Sequence, residues 1–258
     1  MGFRTEYQRD VAAGLRGQQR QAGPVTEADL GDLPPVVQRY LHFVGSVGRP
    51  RVWNYRLRFR GELRNDAGSR WVKISADQRS FVDPAARLFL VKGSMVGLPF
   101  EAFHRYVGPA ATFKVRLASL LTVVNAAGPE MNQSETVTLL NDMCLLAPAT
   151  LIDPRIAWAE LDPLTVRATF SNAGNTVSAI LSFDDSGALV DFVSDDRHRT
   201  TDGKTYEQLR WSTPVRAWRT FDGRRLPVEA EAIWQSDELA FAYARFEILG
   251  VDYNVAAD

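Results

Sequence analysis

The chain has 258 residues, with 30 basic and 31 acidic side chains and a formal net charge of −1. This balance of charge argues against non-specific binding of nucleic acid, which requires an excess of basic groups to neutralise phosphates. Hydrophobic residues make up 45% of the chain and charged residues 24%, as in folded globular proteins, so extensive disorder is excluded.

The sequence predicts neither export nor membrane insertion. The single cysteine cannot form an internal disulfide. Residues 1–20 carry charges where a signal peptide has its apolar core. The longest apolar window, residues 117–127, is shorter than the roughly eighteen residues of a membrane-spanning helix. We therefore predict a soluble, cytoplasmic protein with no integral membrane segment.

Residues 1–45 have the pattern of a helical segment that packs on the rest of the protein. A polar, weakly amphipathic helix is predicted over residues 6–21. A second helix is predicted from residues 32–35 to Val44, with Asp32 or a neighbour as its cap and a proline in its first turn. Apolar residues at steps of three and four predict one buried face on this helix. They are Val36, Val37, Tyr40, Leu41 and Val44.

From Arg51 the apolar period changes to two, which indicates β-strands in a single domain over residues 46–258. In the first strand, Trp53, Tyr55, Leu57 and Phe59 share one face, and Arg56, Arg58 and Arg60 share the other. Further strands are predicted at residues 71–77, 87–92, 101–107, 112–117, 122–126, 165–170, 176–183, 188–195, 205–212, 215–221, 226–234 and 241–249.

Two short segments between these strands are hairpin signals, namely residues 184–187 and Asp222-Gly223. Strands joined by such loops are neighbours in an antiparallel sheet. A flat sheet of about a dozen strands would expose long edges and a whole apolar face. The sequence therefore predicts a mainly β (α+β) fold, with a single curved antiparallel sheet that forms a barrel or half-barrel.

One helix, at about residues 134–146, interrupts the strands and is predicted to cover the sheet. Ser134 is its predicted N-cap, Glu135 lies in its first turn, and Pro148 prevents a long continuation. The helical period places Glu135 and Asp142 on one face. Asn141 and Asp142 stand in an otherwise apolar segment, so each needs a buried partner, either an inward-facing arginine or a ligand.

These polar residues are the candidates for a catalytic role. Asp142 and Glu135 are the predicted acid and base, with His104 as a possible partner. The alternative is structural: Glu135 complements the helix N-terminus, Asp142 binds an arginine, and His104 forms hydrogen bonds within the sheet. Cys144 is interpreted as a buried, inert thiol, because no Cys-His signature accompanies it.

Ligand contacts are predicted on the same helix and on strands. They are Asn141, Arg58, Trp53, Tyr55 and Trp211. The three histidines show no metal-ligand spacing, so we predict no metal site and no cofactor. Residues 195–198, Asp-Asp-Arg-His, are interpreted as a solvated loop at the end of a strand.

Four segments resemble an uncharacterised bacterial family that is common in actinobacteria and has no assigned activity. They are LPPVVQRYLHFVG at 33–45, NDMCLLAPATLID at 141–153, NAGNTVSAILSF at 172–183 and RWSTP at 210–214. The hairpin LSFDDSGALVDF at 181–192, more distantly, resembles lipoprotein carriers of the LolA and LolB type. That second resemblance implies a half-barrel that is covered by helices and holds acyl chains.

Two functions of different classes fit these observations. The first is a binding protein that holds a hydrophobic small molecule or lipid acyl chain inside the curved sheet. The alternative is a cofactor-free isomerase, cyclase or hydrolase that uses Asp142, Glu135 and His104, with Asn141 or an arginine stabilising negative charge. A weaker third hypothesis is an interaction module that uses edge strands or the N-terminal helix. The sequence leaves the oligomeric state open.

Overall fold

The computed structural model describes residues 2–118, 120–236 and 240–256. Within these residues there are three α-helices, α1 (Phe3–Gly17), α2 (Pro35–Phe43) and α3 (Pro129–Leu145). Short 3-10 helices span Glu27–Leu30 and Pro148–Ile152. The strands are β1 (Asn54–Leu63), β2 (Val72–Phe81), β3 (Ala86–Met95), β4 (Leu98–Val107), β5 (Ala110–Leu117), β6 (Leu121–Ala127), β7 (Ile156–Asp162), β8 (Thr165–Asn172), β9 (Asn175–Phe183), β10 (Leu189–Arg199), β11 (Glu207–Ser212), β12 (Val215–Phe221), β13 (Arg224–Gln235) and β14 (Ala240–Tyr253).

The described strands form one sheet in the order β6-β5-β4-β3-β2-β1-β14-β13-β11-β10-β9-β8-β7, and β12 pairs with β13 beside this path. Every neighbouring pair is antiparallel. The sheet curls into a half-barrel, so the predicted mainly β fold with one curved antiparallel sheet is confirmed. β6 and β7 end the two arms of the half-barrel, and α3 joins them along the chain.

Tight turns connect the predicted hairpins. Asp222 and Gly223 have φ angles of 47° and 74° between β12 and β13, and Gly187 has a φ of 84° between β9 and β10. Aspartate and glycine tolerate these left-handed conformations, which match the twist of paired strands. One strand, β7, is absent from the sequence prediction, because it is a mostly exposed edge strand without a clear apolar alternation.

Helix α1 packs on the outside of the half-barrel. Phe3 and Tyr7 lie against Phe103 of β4, with ring centroids 6.2 and 6.0 Å apart. The same cluster buries Leu88 and Leu90 of β3. The first helix therefore begins earlier than predicted, at Phe3, and β3 is buried on both faces, since α1 covers one and the interior covers the other.

Helix α2 packs inside through the predicted apolar face, whose residues are all at most 3% exposed. The Tyr40 hydroxyl donates a hydrogen bond to the Cys144 carbonyl at 2.7 Å. Asp32 does not cap this helix. The N-cap position is Pro34, without a side-chain cap, and Pro35 occupies the first turn, where its missing N–H costs nothing.

Helix α3 lies across the concave face and packs on β5, β6, β9 and β10. It begins at Pro129, one turn before the predicted start, because proline suits the first helical position. Ser134 is therefore inside the helix and is not its cap; its hydroxyl donates to the Glu130 carbonyl at 2.7 Å. None of the described helices is both long and apolar enough to cross a membrane.

Candidate functional site

A cavity of about 300 Å³ lies between α3 and the concave face of the sheet. Alternate residues of each strand point inward, so most of its wall is built from the apolar faces of the strands. Seven phenylalanine, tryptophan and tyrosine side chains line it: Phe59, Phe89, Phe113, Trp211, Trp234, Tyr243 and Phe246. Charged and polar side chains line the remainder, from α3, β2, β3, β4, β10 and β13 and from the segments that follow β1, β10 and β11.

Arg87 of β3 ties two carboxylates of α3 to the sheet. Its Nε donates to Asp142 at 2.6 Å, its Nη1 donates to Glu135 at 3.2 Å, and its Nη2 donates to the Gln78 side chain at 3.2 Å. The Gln78 amide also donates to Asp142, at 2.7 Å. All four residues are less than 8% exposed. The seven-residue spacing of Glu135 and Asp142, two helical turns, lets both carboxylates reach one guanidinium.

His104 of β4 contacts the same network from the other side. Its Nδ1 lies 3.3 Å from Oε1 of Glu135, and its ring stacks on Phe113 with centroids 3.9 Å apart. Burial lowers the pKa of His104, although the Glu135 carboxylate works in the opposite direction. Burial therefore favours the neutral imidazole of His104, whose Nδ1 faces a carboxylate.

The two carboxylates differ in their electrostatics. Burial alone would raise the pKa of Glu135, but His104, Arg87 and Arg197 outweigh burial and lower the pKa to about 2. Burial raises the pKa of Asp142, and the ion pair with Arg87 only partly offsets it. The neighbouring Asn141 donates from its amide to the Thr213 hydroxyl at 2.6 Å and also lines the cavity.

A second buried arginine, Arg197 of β10, lies on the opposite wall. Its guanidinium lies over the rings of Trp211 and Trp234, at 4.3 and 5.2 Å from their centroids. Its Nη1 donates to the Tyr243 hydroxyl at 2.8 Å, and its Nη2 is 4.0 Å from Glu135. Two large aromatic faces thus hold the cation at the cavity wall through cation–π attraction.

The structure brings five of the predicted site residues to the cavity wall: Glu135, Asp142, His104, Asn141 and Trp211. Asp142 binds an arginine, which is the arrangement that the structural alternative describes. Glu135 does not complement the helix N-terminus, because α3 begins six residues before it.

Three predicted ligand contacts lie away from the cavity. Arg58 is on the outer face of β1, 51% exposed and 3.8 Å from Asp252, because it alternates with the inward Leu57 and Phe59. Trp53 precedes β1 and is only half-buried. Tyr55 is buried in the core and is not part of the cavity wall. Cys144 is fully buried, and burial raises the pKa of its thiol, consistent with an inert side chain.

Sequence reasoning missed Arg87, Gln78, Arg197 and Tyr243. Arg197 falls in the segment interpreted as a solvated loop, and that interpretation is wrong: β10 continues to Arg199. The pairing of β10 with β11 shifts register between Ser194 and Arg197, and this irregularity accompanies the inward position of the arginine. Arg87 is one of six consecutive buried residues of β3, so alternation gave no signal for it.

Among the described residues, no group of three or more histidine, cysteine, aspartate or glutamate side chains is arranged to hold a metal ion. The polar wall contains Arg87 with two carboxylates and Arg197 with two indole rings and a phenol, and such groups bind organic ligands through hydrogen bonds and charge. The chemistry available at the cavity is therefore hydrogen bonding, ion pairing and proton transfer by His104.

Residues 23–246 match the model of a family of unknown function, DUF6544. The chain belongs to this family. The membership of an uncharacterised family that four sequence segments predicted is thereby confirmed. No curated protein matches the sequence.

Several solved structures are similar to this member of DUF6544. A DUF1329 family protein from Desulfovibrio piger is 9% identical, with 92% of this chain and 96% of that chain covered and a TM-score of 0.48. A LolA superfamily protein from Nitrosomonas europaea is 8% identical, with 86% and 95% covered and a TM-score of 0.46. A putative outer membrane lipoprotein-sorting protein domain from Vibrio parahaemolyticus is 9% identical, with 80% and 87% covered and a TM-score of 0.44. These likenesses concern the fold alone and identify no ligand.

Proposed function

We propose that this protein binds a hydrophobic small molecule or acyl chain in the cavity between α3 and the half-barrel. The observation that carries the proposal is a space of about 300 Å³ whose wall is mostly aromatic and aliphatic. A preformed apolar cavity with a few convergent polar groups is the usual form of a small-molecule site. An apolar ligand there gains the contacts that the lining side chains otherwise lack.

Ligand binding to the folded state stabilises the protein, so the first test is thermal unfolding of delipidated protein with and without fatty alcohols. Free ligand at about a hundred times its Kd should stabilise the fold by about 2.7 kcal/mol. An unchanged unfolding temperature across alcohols of increasing chain length would contradict the proposal.

A pair of matched variants locates the ligand. Ala232 lies on the cavity wall and is 5% exposed, whereas Ala179 on β9 is 2% exposed and lies outside the wall. Leucine at either position adds the same volume to a buried site. Ala232→Leu should abolish the stabilisation by alcohols, and Ala179→Leu should retain it. Equal loss in both variants would place the ligand elsewhere.

A second candidate function, proton-transfer catalysis, is favoured by the contact between His104 and Glu135. A carboxylate that faces Nδ1 fixes the proton on that nitrogen, which leaves Nε2 to accept a proton. His104 lines the cavity, so a bound hydrophobic ketone with an acidic C–H bond is a suitable substrate class. The aliphatic wall would exclude water from such a reaction.

The catalytic proposal is tested by proton exchange. Hydrophobic ketones are incubated with the protein in deuterated water, and deuterium at the carbon next to the carbonyl is followed by NMR. Exchange catalysed by the wild type should fall by about a hundredfold or more in His104→Gln. Equal exchange in the two proteins would remove His104 from the chemistry.

A further inference from the structure

Arg197 is a buried cation with unused hydrogen-bond donors. It is 8% exposed and donates to Tyr243, while its Nε has no hydrogen-bond partner within the described ranges. The nearest carboxylate oxygen, on Glu135, is 4.0 Å from Nη2, beyond hydrogen-bond distance. A buried guanidinium normally has its donors satisfied, so these N–H groups call for an acceptor that is not a side chain of this cluster.

The hydroxyl of Tyr243, like the guanidinium of Arg197, has a hydrogen-bond donor left to offer. It accepts one hydrogen bond from Nη1 of Arg197 at 2.8 Å and a second from Nε1 of Trp211 at 3.2 Å. A phenol oxygen that accepts two hydrogen bonds still has its own O–H to donate. Arg197 and Tyr243 both line the cavity, so the guanidinium and this phenol are hydrogen-bonding groups of the same part of its wall.

Most of the other charged groups that face this part of the cavity are already hydrogen-bonded; among the described residues, Oε1 of Glu135 has no hydrogen-bond partner and lies 4.0 Å from Nη2 of Arg197. Asp142 accepts from Arg87 and Gln78, and Glu135 lies between Arg87 and His104. Arg87 uses Nε, Nη1 and Nη2 in hydrogen bonds, so it has little capacity for a further anion. An incoming anion would thus meet Arg197 as the available cation.

The solvent-exposed end of the cavity also carries positive charge. Asn65 and Thr201 are exposed lining residues, and the half-buried Arg64 and Arg199 also line the cavity. Nη2 of Arg199 donates to the Asn65 carbonyl at 2.9 Å, which holds the two loops together. The acidic lining residue Glu231 is paired with Arg216 and Arg245, each at 3.0 Å. The arginines of this rim favour an anionic ligand, and the exposed Asp66, which interacts electrostatically with Arg199, reduces that preference.

We propose that the hydrophobic ligand carries a carboxylate head group, bound by the guanidinium of Arg197 and the hydroxyl of Tyr243, with its apolar tail among the aromatic side chains. The inference rests on the proposed binding function and specifies its ligand class. A carboxylate suits the site because its planar pair of oxygens matches the donor geometry of a guanidinium.

The test compares three ligands with the same tail: dodecanoic acid, dodecanol and dodecyltrimethylammonium. Each displaces a neutral fluorescent dye from delipidated protein at about pH 8, where the free acid is ionised. The acid should bind at least about tenfold tighter than the alcohol, because its carboxylate accepts charge-assisted hydrogen bonds that the uncharged hydroxyl of the alcohol does not form. Equal affinity of acid and alcohol, or tightest binding of the ammonium ligand, would overturn the inference and leave the cavity as a binding site. Failure of all three to bind would overturn the proposed function, and the head-group inference with it.

Variants connect the preference to the two residues. Arg197→Met should remove the advantage of the acid and retain alcohol binding. Tyr243→Phe keeps the aromatic ring and should reduce the preference for the acid over the alcohol by a few fold. This variant tests the assignment if Arg197→Met does not fold. Arg58→Met, which removes an exposed arginine on the outer face, is the matched control and should leave all affinities unchanged. An undiminished preference for the acid in both cavity variants would contradict the assignment.

Discussion

Arg87 and Arg197 lie on opposite arms of the half-barrel, on β3 and β10, and both are buried at the wall of the same cavity. Arg87 donates to two carboxylates and an amide. Arg197 is held by two indole rings and a phenol, and no carboxylate of the described residues lies within hydrogen-bond distance of it. The two arginines are equally buried and differ only in their partners. Arg87 belongs to a structural ion-pair network, whereas Arg197 is a cation that is available to a ligand.

The largest expected effect is the loss of Arg87. Arg87→Met leaves Asp142 and Glu135 buried without their shared cation, and the removal of one partner from a buried ion pair typically costs about 3–5 kcal/mol. The free energy of unfolding, measured by urea denaturation at neutral pH, should fall by that amount. A loss below about 1 kcal/mol would mean that Arg87 does not hold α3 on the sheet.

The sequence could predict much of the frame in which these arginines lie. Alternation along β1 and the turn residues between β9 and β10 and between β12 and β13 are local signals, and they specify neighbouring antiparallel strands. The number of such strands then favours curvature. The buried polar residues Asn141 and Asp142 were also visible, since they interrupt an apolar segment.

The cavity wall could not be predicted to the same extent. Arg87 is opposite Glu135 and Asp142 only because the curled sheet brings β3 under α3, which is a long-range contact that no local pattern encodes. Arg197 points inward beyond a register shift in β10, so a regular alternation misplaces it. Arg58 is also an arginine and was predicted to contact the ligand, but the alternation of β1 places it on the outer face of the sheet.

The second prediction concerns the pH dependence of stability that arises from Glu135, a partner of Arg87. The pKa of Glu135 is lowered from 4.5 to about 2 in the folded protein, so its charge stabilises the fold above pH 4.5. That contribution disappears as the pH falls from 4.5 towards 2, since the unfolded chain takes up the proton first. The stability difference between wild type and Glu135→Gln should be on the order of 3 kcal/mol at pH 7 and shrink below pH 4.5.

Urea denaturation of both proteins between pH 3 and pH 7 gives this difference directly. The exposed Glu160→Gln variant is the control, and its difference from wild type should stay near zero at each pH. A stability difference that grows on acidification would show that Glu135 is protonated in the folded protein, and the Arg87 network would then have one carboxylate instead of two.

The third prediction sharpens the contrast. Arg197→Met removes a cation whose contacts are cation–π interactions, one hydrogen bond and a 4.0 Å ion pair with Glu135, and methionine keeps an apolar contact with Trp211 and Trp234. The free energy of unfolding without ligand should therefore fall by only about 1–2 kcal/mol. A loss as large as that of Arg87→Met would erase the distinction between the two arginines, because Arg197 would then be structural as well.

The smallest effect is expected for Arg58, which supplies the reference for both buried arginines. Its guanidinium is 51% exposed and lies 3.8 Å from Asp252, which is 50% exposed, so water screens the pair. Exposed ion pairs contribute little, and Arg58→Met should change the free energy of unfolding by no more than about 0.5 kcal/mol. The measurement is urea denaturation under the conditions used for Arg87→Met and Arg197→Met. A larger loss would show that the change from arginine to methionine is itself costly in this sheet, and the values for the two buried arginines would have to be reduced by the same amount before their partners are compared.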